Sequence, residues 1–156
     1  NEELNLTELA KEVIWRCNVM LKENEINVVL DVKEDIFAYA DEFYIEQVVT
    51  NYFTNAIKHC ENVNGKKQII VKIEHIKEKN KIRFSVFNTG ENIGEEDLNR
   101  IWGRFYKVDS SRNRENGGSG IGLALVKAIM VNYQNDYGVI NKDDGVEFYF
   151  ELDEVK

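Results

Sequence analysis

Apolar residues recur at two spacings along this chain, and the change between them separates predicted helices from predicted strands. Leu6, Leu9, Val13 and Cys17 lie three or four residues apart, which is typical of a helix that packs one face against a core. From Gln68 to Ile76, apolar and polar residues alternate instead, as in a half-buried strand. The chain therefore combines amphipathic helices with strands that bury alternate residues.

These two spacings, with polar and glycine-containing turns between them, give an order of elements. Helices are predicted over 6–24, 41–60 and 120–132, with Asp41 as N-cap of the second. Strands are predicted over 27–32, 68–76, 81–88, 137–141 and 146–152, and 36–40 is predicted as a short extended segment. Residues 89–119 show little periodicity beyond a short helix around 95–102. This order predicts a two-layer α/β sandwich with a mixed sheet, because hairpins pair antiparallel and helical crossovers allow parallel pairs.

Composition is consistent with one globular domain. The 156 residues, 43% of them hydrophobic, suffice for a single core. No stretch approaches the roughly 18 consecutive apolar residues of a membrane span, and the first residues lack a secretory signal, so we expect a soluble fragment. Cys17 and Cys60 lie in apolar helical patterns without metal-ligand spacing and are expected to be reduced core residues. The net charge of −8 disfavours nucleic acid as a partner, since binding it requires a clustered basic surface.

The second predicted helix carries a polar stripe beside its apolar face. The stripe sits at positions i, i+4, i+7 and i+8 and consists of Asn51, Asn55, Lys58 and His59. The amide oxygens can complete the oxygen shell of Mg²⁺, Lys58 can meet a phosphate, and the His59 ring can cover a base or ribose. Taken alone, this helix is equally well described as having an ordinary solvated polar face.

A glycine cluster precedes the third predicted helix. In GGSGIGLALV, Gly118, Gly120 and Gly122 let the backbone approach a ligand without an obstructing Cβ atom, and the helix that follows presents unpaired amides to phosphate. The alternative is a flexible loop closed by a helix start. The spacing matches neither G-x-x-x-x-G-K-[ST] nor G-x-G-x-x-G, which disfavours P-loop and Rossmann sites.

Two further segments lie between the stripe and the glycine cluster. In VFNTGENI, the Asn88 amide can accept a hydrogen bond from an exocyclic amine and Gly90 permits a flat ring to approach, although an ordinary strand-ending turn also fits. The segment WGRFYKVDSSR offers aromatic residues that can anchor a lid or simply pack, and basic residues that can reach phosphates. These are Trp102, Phe105 and Tyr106, and Arg104, Lys107 and Arg112.

In this order and spacing, the four segments resemble the nucleotide-binding boxes of the histidine kinase catalytic domain, a branch of the GHKL superfamily. The asparagine box reads NYFTNAIKH, the first glycine box NTGEN, the aromatic box IWGRFYKVD and the second glycine box GGSGIGL, and DGVEFYFEL resembles the closing strand. The resemblance covers nearly the whole chain. It implies the Bergerat ATP-binding fold, with a mixed five-stranded sheet against three helices and an ATP lid over 89–119.

The resemblance also implies roles for the matching residues. Asn55 would be the Mg²⁺ ligand, Asn51 would lie beside the triphosphate and Lys58 on a terminal phosphate, so Asn51 and Lys58 would serve the transfer. His59 takes the position of an aromatic residue that flanks the nucleotide. The implied ATP site comprises Asn51, Asn55, Lys58, His59, Asn88, Gly90, Ile93, Tyr106, Lys107, Gly118, Gly120, Ile121, Gly122 and Leu123.

The first glycine box departs from the family's usual D-x-G-x-G pattern, with Asn88 for the acid and Asn92 for the second glycine. Asn88 keeps an acceptor for the adenine amine but loses charge assistance, so we expect ATP binding that is retained at lower affinity. The segment around this box is also similar to the variant in vancomycin-resistance-type sensor kinases of Gram-positive bacteria.

Phosphotransfer, and not hydrolysis, is the reaction that the resemblance implies. ATPases of the superfamily carry a glutamate base at position 51, whereas an amide cannot take a proton from water. Family members hold the acceptor histidine on a preceding dimerisation domain, and the contexts of His59 and His75 do not match it. We therefore expect one catalytic domain, 1–156, on the cytoplasmic side of a membrane-anchored bacterial sensor kinase, with its own dimerisation domain and a response regulator as partners.

Two other functions stay open at this point. A GHKL ATPase module, as in chaperones or mismatch-repair proteins, would turn over ATP by itself. A non-catalytic interaction domain with a decayed pocket would bind no adenine nucleotide, and the altered first glycine box is the only feature that favours it.

Overall fold

The computed structural model of the chain describes residues 1–103 and 122–155. In chain order its elements are β1 (Glu2–Asn5), α1 (Leu6–Arg16), α2 (Asn18–Glu23), β2 (Asn27–Asp31), β3 (Phe37–Ala40), α3 (Glu42–His59), β4 (Gln68–Ile76), β5 (Lys81–Thr89), α4 (Gly122–Tyr133), β6 (Tyr137–Lys142) and β7 (Gly145–Glu154). Two short 3₁₀ helices cover Lys77–Lys79 and Arg100–Trp102.

The strands within the described ranges form one mixed sheet. Their order is β1-β3-β7-β5-β4-β2, with β6 also paired to β7. β2 runs parallel to β4, and the other pairs are antiparallel. β5 pairs with β7 along its whole length and ends with Thr89 opposite Gly145. The end of β5 therefore lies beside the turn that joins β6 to β7.

The core lies between the helices and one face of the sheet, because alternate residues of each central strand point toward the helices. Tyr52 of α3 is fully buried there. Its ring centroid lies 5.4 Å from that of Phe148 and 5.9 Å from that of Phe150, and its hydroxyl donates to the Tyr149 carbonyl at 2.9 Å. These contacts fix α3 across β7 and so determine where its polar stripe lies.

The fold class expected from the sequence is confirmed, but the sheet has seven strands where five were expected. β3 corresponds to the segment predicted only as extended. β1 was not predicted, since three of its four residues are Glu2, Glu3 and Asn5, which disfavour strands, and only Leu4 is buried. β1 forms through its antiparallel pairing with β3.

Two of the helix predictions were wrong in detail. The helix predicted over 6–24 breaks at Cys17, whose φ of −95° and ψ of 8° separate α1 from α2. The Asn18 side-chain amide donates to the Trp15 carbonyl at 2.8 Å and so competes with the backbone for that acceptor. The short helix predicted around 95–102 is a turn followed by the 3₁₀ helix Arg100–Trp102.

The second predicted helix is confirmed as α3, to within one residue at each end. Asp41 caps it as predicted, because its carboxylate accepts from the Phe43 amide at 2.9 Å. Both cysteines are free and buried as expected, and burial raises the pKa of each thiol. Within the described ranges, none of the helices combines the length and apolar character needed to cross a bilayer.

Candidate functional site

The polar stripe of α3 borders the core without being part of it. Asn51 and Asn55 are half-buried, and Lys58 and His59 are exposed. Between 1–103 and 122–155, neither amide side chain has a hydrogen-bonding partner. Both amides therefore keep their full capacity to bind a ligand.

The first turn of α4 lies against this stripe. A Cβ atom on Gly122 would lie 3.5 Å from Oδ1 and 3.6 Å from Cγ of Asn51, so the two backbones approach as closely as a glycine allows. The first amides of a helix have no acceptor within the helix and can bind phosphate. The structure thus brings Gly122 and Asn51 together, and Leu123 is partly buried against the core beside them.

Part of the predicted site falls outside the described residues. This part comprises Arg104, Phe105, Tyr106, Lys107, Arg112, Gly118, Gly120 and Ile121. Of the aromatic segment, Trp102 is described. Its ring packs edge-on against Tyr137, with centroids 5.0 Å apart, and lies 5.9 Å from Phe148. For Trp102 the packing role therefore applies.

Asn88 is buried at the end of β5, with 2% of its surface exposed. Its Nδ2 atom donates to the Thr89 carbonyl at 3.0 Å and to the His59 carbonyl at 3.3 Å. His59 is the last residue of α3, so its carbonyl has no intrahelical donor. Because both neighbours are acceptors, the amide must present its NH₂ group to them. The Oδ1 atom then remains as the acceptor that Asn88 can offer to a ligand.

Gly90 has a structural role that the sequence analysis did not predict. Its φ is +149°, and a Cβ atom there would lie 2.8 Å from the His59 carbonyl oxygen. Its own amide donates to the Asp144 carbonyl at 3.0 Å. Glycine is therefore needed for β5 to meet the end of α3 and the β6–β7 turn at once, in addition to any contact with a ligand.

The sequence analysis also missed Asn141 and any structural role for Asn92. The Asn92 amide donates to the Lys142 carbonyl at 2.8 Å and to the Gly145 carbonyl at 2.9 Å. Asn141 accepts from the Ile93 amide at 3.0 Å and donates to the Ile93 carbonyl at 2.8 Å. These bonds join residues about fifty positions apart, and spacing within one sequence gives no signal for such a pairing.

The electrostatics of the stripe favour a neutral histidine. Desolvation lowers the pKa of His59 below its ordinary value, and the neighbouring Lys58 lowers it further, while Glu61 has the opposite, smaller effect. The imidazole is therefore uncharged at neutral pH, which allows its ring to lie against an aromatic base without placing a charge there.

A helix-covered mixed sheet, with an amide stripe on one helix against the glycine start of another, defines an α/β sandwich of the nucleotide-binding class. Residues 40–156 match the family described as histidine kinase-, DNA gyrase B-, and HSP90-like ATPase. The chain belongs to this family.

Relatives of the chain are sensor kinases. It is 33% identical over 152 residues to the adaptive-response sensory kinase SasA of Crocosphaera subtropica, which covers 96% of this chain and 38% of SasA. It is 27% identical over 151 residues to the sensor protein VanSB of Enterococcus faecalis, which covers 97% of this chain and 33% of VanSB. The chain thus spans little more than a third of these relatives. Because identity to VanSB does not exceed identity to SasA, the comparisons support the family and do not single out the vancomycin-resistance type.

Solved structures agree with the fold. The catalytic domain of the histidine kinase ThkA, in a nucleotide-free form, superposes with a TM-score of 0.83 at 28% identity, covering 97% of this chain and 94% of that domain. ThkA in complex with the response regulator TrrA gives a TM-score of 0.77 at 27% identity, covering 98% of this chain and 41% of ThkA.

Proposed function

We propose that this chain binds Mg-ATP between α3 and the start of α4 and transfers the γ-phosphoryl group to a histidine on a separate dimerisation domain of a two-component sensor kinase. The observation that carries the proposal is the approach of Gly122 to the Asn51 amide, at 3.5 Å for a Cβ atom. It supports a cavity with amide oxygens on one side and unpaired helix amides on the other, in a chain of the histidine kinase, gyrase and HSP90-like family.

At the adenine end, Asn88 accepts from the exocyclic amine through Oδ1, since Nδ2 is engaged with two backbone carbonyls. The neutral ring of His59 flanks the base or ribose. Gly90 and Ile93 lie along the same turn and close this end of the site. A base with an exocyclic amine fits an acceptor at this position, and a base with an exocyclic carbonyl does not.

At the phosphate end, Asn55 supplies an oxygen ligand to Mg²⁺. The described part of the chain holds no group of three or more His, Cys, Asp or Glu side chains able to bind a metal. One amide oxygen together with phosphate oxygens and waters fits Mg²⁺, which is seldom held by an all-protein cage. Bound Mg²⁺ would offset negative charge on the phosphates. Lys58 and the Gly122 amide add positive charge and donors, and Tyr106, Lys107, Gly118, Gly120, Ile121 and Leu123 complete the proposed lining.

Transfer follows from position and charge, because phosphoryl transfer asks for little covalent chemistry from the protein. Asn51 and Lys58 hold the triphosphate in line with the acceptor. An asparagine at position 51 cannot act as a general base toward water at neutral pH, which favours transfer to histidine over hydrolysis.

The acceptor, in this proposal, lies on the dimerisation domain of the same sensor kinase, and a response regulator receives the phosphoryl group next. The complex of ThkA with TrrA supports a regulator as partner. We infer that residues 1–156 act as one catalytic domain on the cytoplasmic side of a membrane-anchored parent, as the relatedness to sensor proteins suggests.

Replacing Asn55 with alanine tests the metal assignment. We expect Asn55→Ala to abolish magnesium-dependent ATP binding, because the amide oxygen is lost, while the thermal unfolding temperature stays close to that of the wild type. Calorimetric titration with ATP, with and without Mg²⁺, measures this. Asn132→Ala is the matched control, an exposed helical asparagine near the far end of α4, and it should bind as the wild type does.

Unchanged magnesium-dependent binding by Asn55→Ala would refute the assignment. Steady phosphate release by the wild-type chain alone would favour an ATPase module instead of a kinase domain. Failure of the wild type to bind any adenine nucleotide would favour a non-catalytic interaction domain.

A further inference from the structure

The turn that follows β5 is fastened to the β6–β7 turn by side chains. Five hydrogen bonds join residues 90–93 to residues 141–145: one from the Gly90 amide to Asp144, two from Asn92 and two with Asn141. Four of them involve an asparagine side chain. This link lies directly beside Asn88, whose amide faces the proposed adenine end of the site.

Asn92 supplies two of these bonds from a single amide group. Its Nδ2 atom donates to the Lys142 carbonyl at 2.8 Å and to the Gly145 carbonyl at 2.9 Å, one on each side of the β6–β7 turn. The side chain therefore bridges the two strands of that hairpin. A glycine, which the family pattern has at this position, would make neither bond.

Asn141 makes the other two bonds and acts as a substitute for a strand edge. It receives the Ile93 amide at 3.0 Å and donates to the Ile93 carbonyl at 2.8 Å. Both backbone groups of Ile93 are satisfied by one side chain in this way. Ile93 itself packs against the core, so its position is fixed from two directions.

We propose that Asn92 and Asn141 are positioning residues that hold residues 88–93 in the conformation that receives the base of the nucleotide. This inference rests on the proposed function. In a turn held by these bonds, less conformational entropy is lost when a nucleotide binds. Asn92 thus offsets with side-chain bonds what the chain lacks in the usual glycine pattern.

The proposal predicts an effect confined to the base end of the ligand. Asn92→Gly and Asn141→Ala should each weaken Mg-ATP binding roughly tenfold, as expected for the loss of a pair of hydrogen bonds that order a binding loop. Binding of magnesium tripolyphosphate, which has no base, should stay within about twofold of the wild type. A change that merely lowers stability, in a protein still folded at the assay temperature, would not separate the two ligands.

Two substitutions elsewhere serve as matched controls. Asn80→Gly makes the same replacement in the β4–β5 turn, at the other end of β5, where φ is +54° and glycine is tolerated. Asn135→Ala removes one side-chain bond, to Lys81 at 2.6 Å, away from residues 88–93. Both controls should bind Mg-ATP as the wild type does.

The measurement is calorimetric titration of all five proteins with Mg-ATP and with magnesium tripolyphosphate, after thermal unfolding has shown that each is folded. Wild-type affinity for Mg-ATP in Asn92→Gly and Asn141→Ala would overturn the positioning roles while leaving the proposed function intact. An equal loss for both ligands would also overturn them. If the wild type binds neither ligand, the proposed function fails together with the inference.

Discussion

Asn88 shows how one atom changes the consequences of a substitution. The family pattern has an acid here, and loss of its charge predicts weaker binding of an adenine amine. In this structure, however, Nδ2 of Asn88 donates to the carbonyls of Thr89 and His59 at 3.0 and 3.3 Å, in a site with 2% exposure. A carboxylate has no donor for either carbonyl, so the surroundings of Asn88 are suited to an amide.

We therefore predict that Asn88→Asp lowers both stability and ATP affinity, although it restores the family residue. The buried carboxylate would face two carbonyl oxygens, a cost of about 2 kcal/mol or more. The carboxyl would bind a proton more readily in the folded state than in the unfolded state, so the loss of stability should grow as pH rises above about 4. Chemical denaturation at several pH values measures the effect.

Asn62→Asp is the control for this substitution. The Asn62 side chain accepts from the Gly65 amide at 3.0 Å in an exposed turn, and an aspartate can still accept that bond. Its stability should stay close to that of the wild type. Tighter ATP binding by Asn88→Asp, with stability unchanged, would show that the two carbonyl contacts do not determine the choice of residue.

Among the elements, the β6–β7 hairpin contributes more to the site than its sequence indicates. The sequence predicts its two strands and the tight turn between them, and the structure confirms both. What the turn contacts depends on the pairing of β7 with β5, which places Gly145 opposite Thr89. A Cβ atom on Gly145 would lie 2.0 Å from the Asn88 carbonyl oxygen and 2.8 Å from the Phe87 ring.

Gly145→Ala should accordingly push β7 away from the end of β5. Because the nearest atom belongs to backbone, we expect a loss of about 2–3 kcal/mol in the free energy of unfolding and weaker ATP binding. Gly65→Ala is the control, since Gly65 has open space around it but a φ of +85°, so alanine there reports backbone strain alone. Urea denaturation of both variants decides the matter, and equal losses would contradict a steric role for Gly145.

For the whole molecule, periodicity could predict the helices and the central strands because these bury a regular face. It could not predict β1, which forms only because β3 offers an edge, or the break at Cys17, which depends on the local Asn18 amide bond. The stripe on α3 was predictable from helical spacing. The bonds of Asn92 and Asn141 were not, because they depend on which strands are neighbours in the sheet.

The central claim is that the α3 stripe and the start of α4 bind one Mg-ATP molecule between them. Nuclear magnetic resonance of the ¹⁵N-labelled chain during titration with Mg-ATP tests it most directly. The side-chain amide signals of Asn51 and Asn55 and the backbone signal of Gly122 should shift together, with one dissociation constant, and the Asn55 shift should need Mg²⁺. Shifts confined to one of the two helices, or absent from both, would contradict the claim.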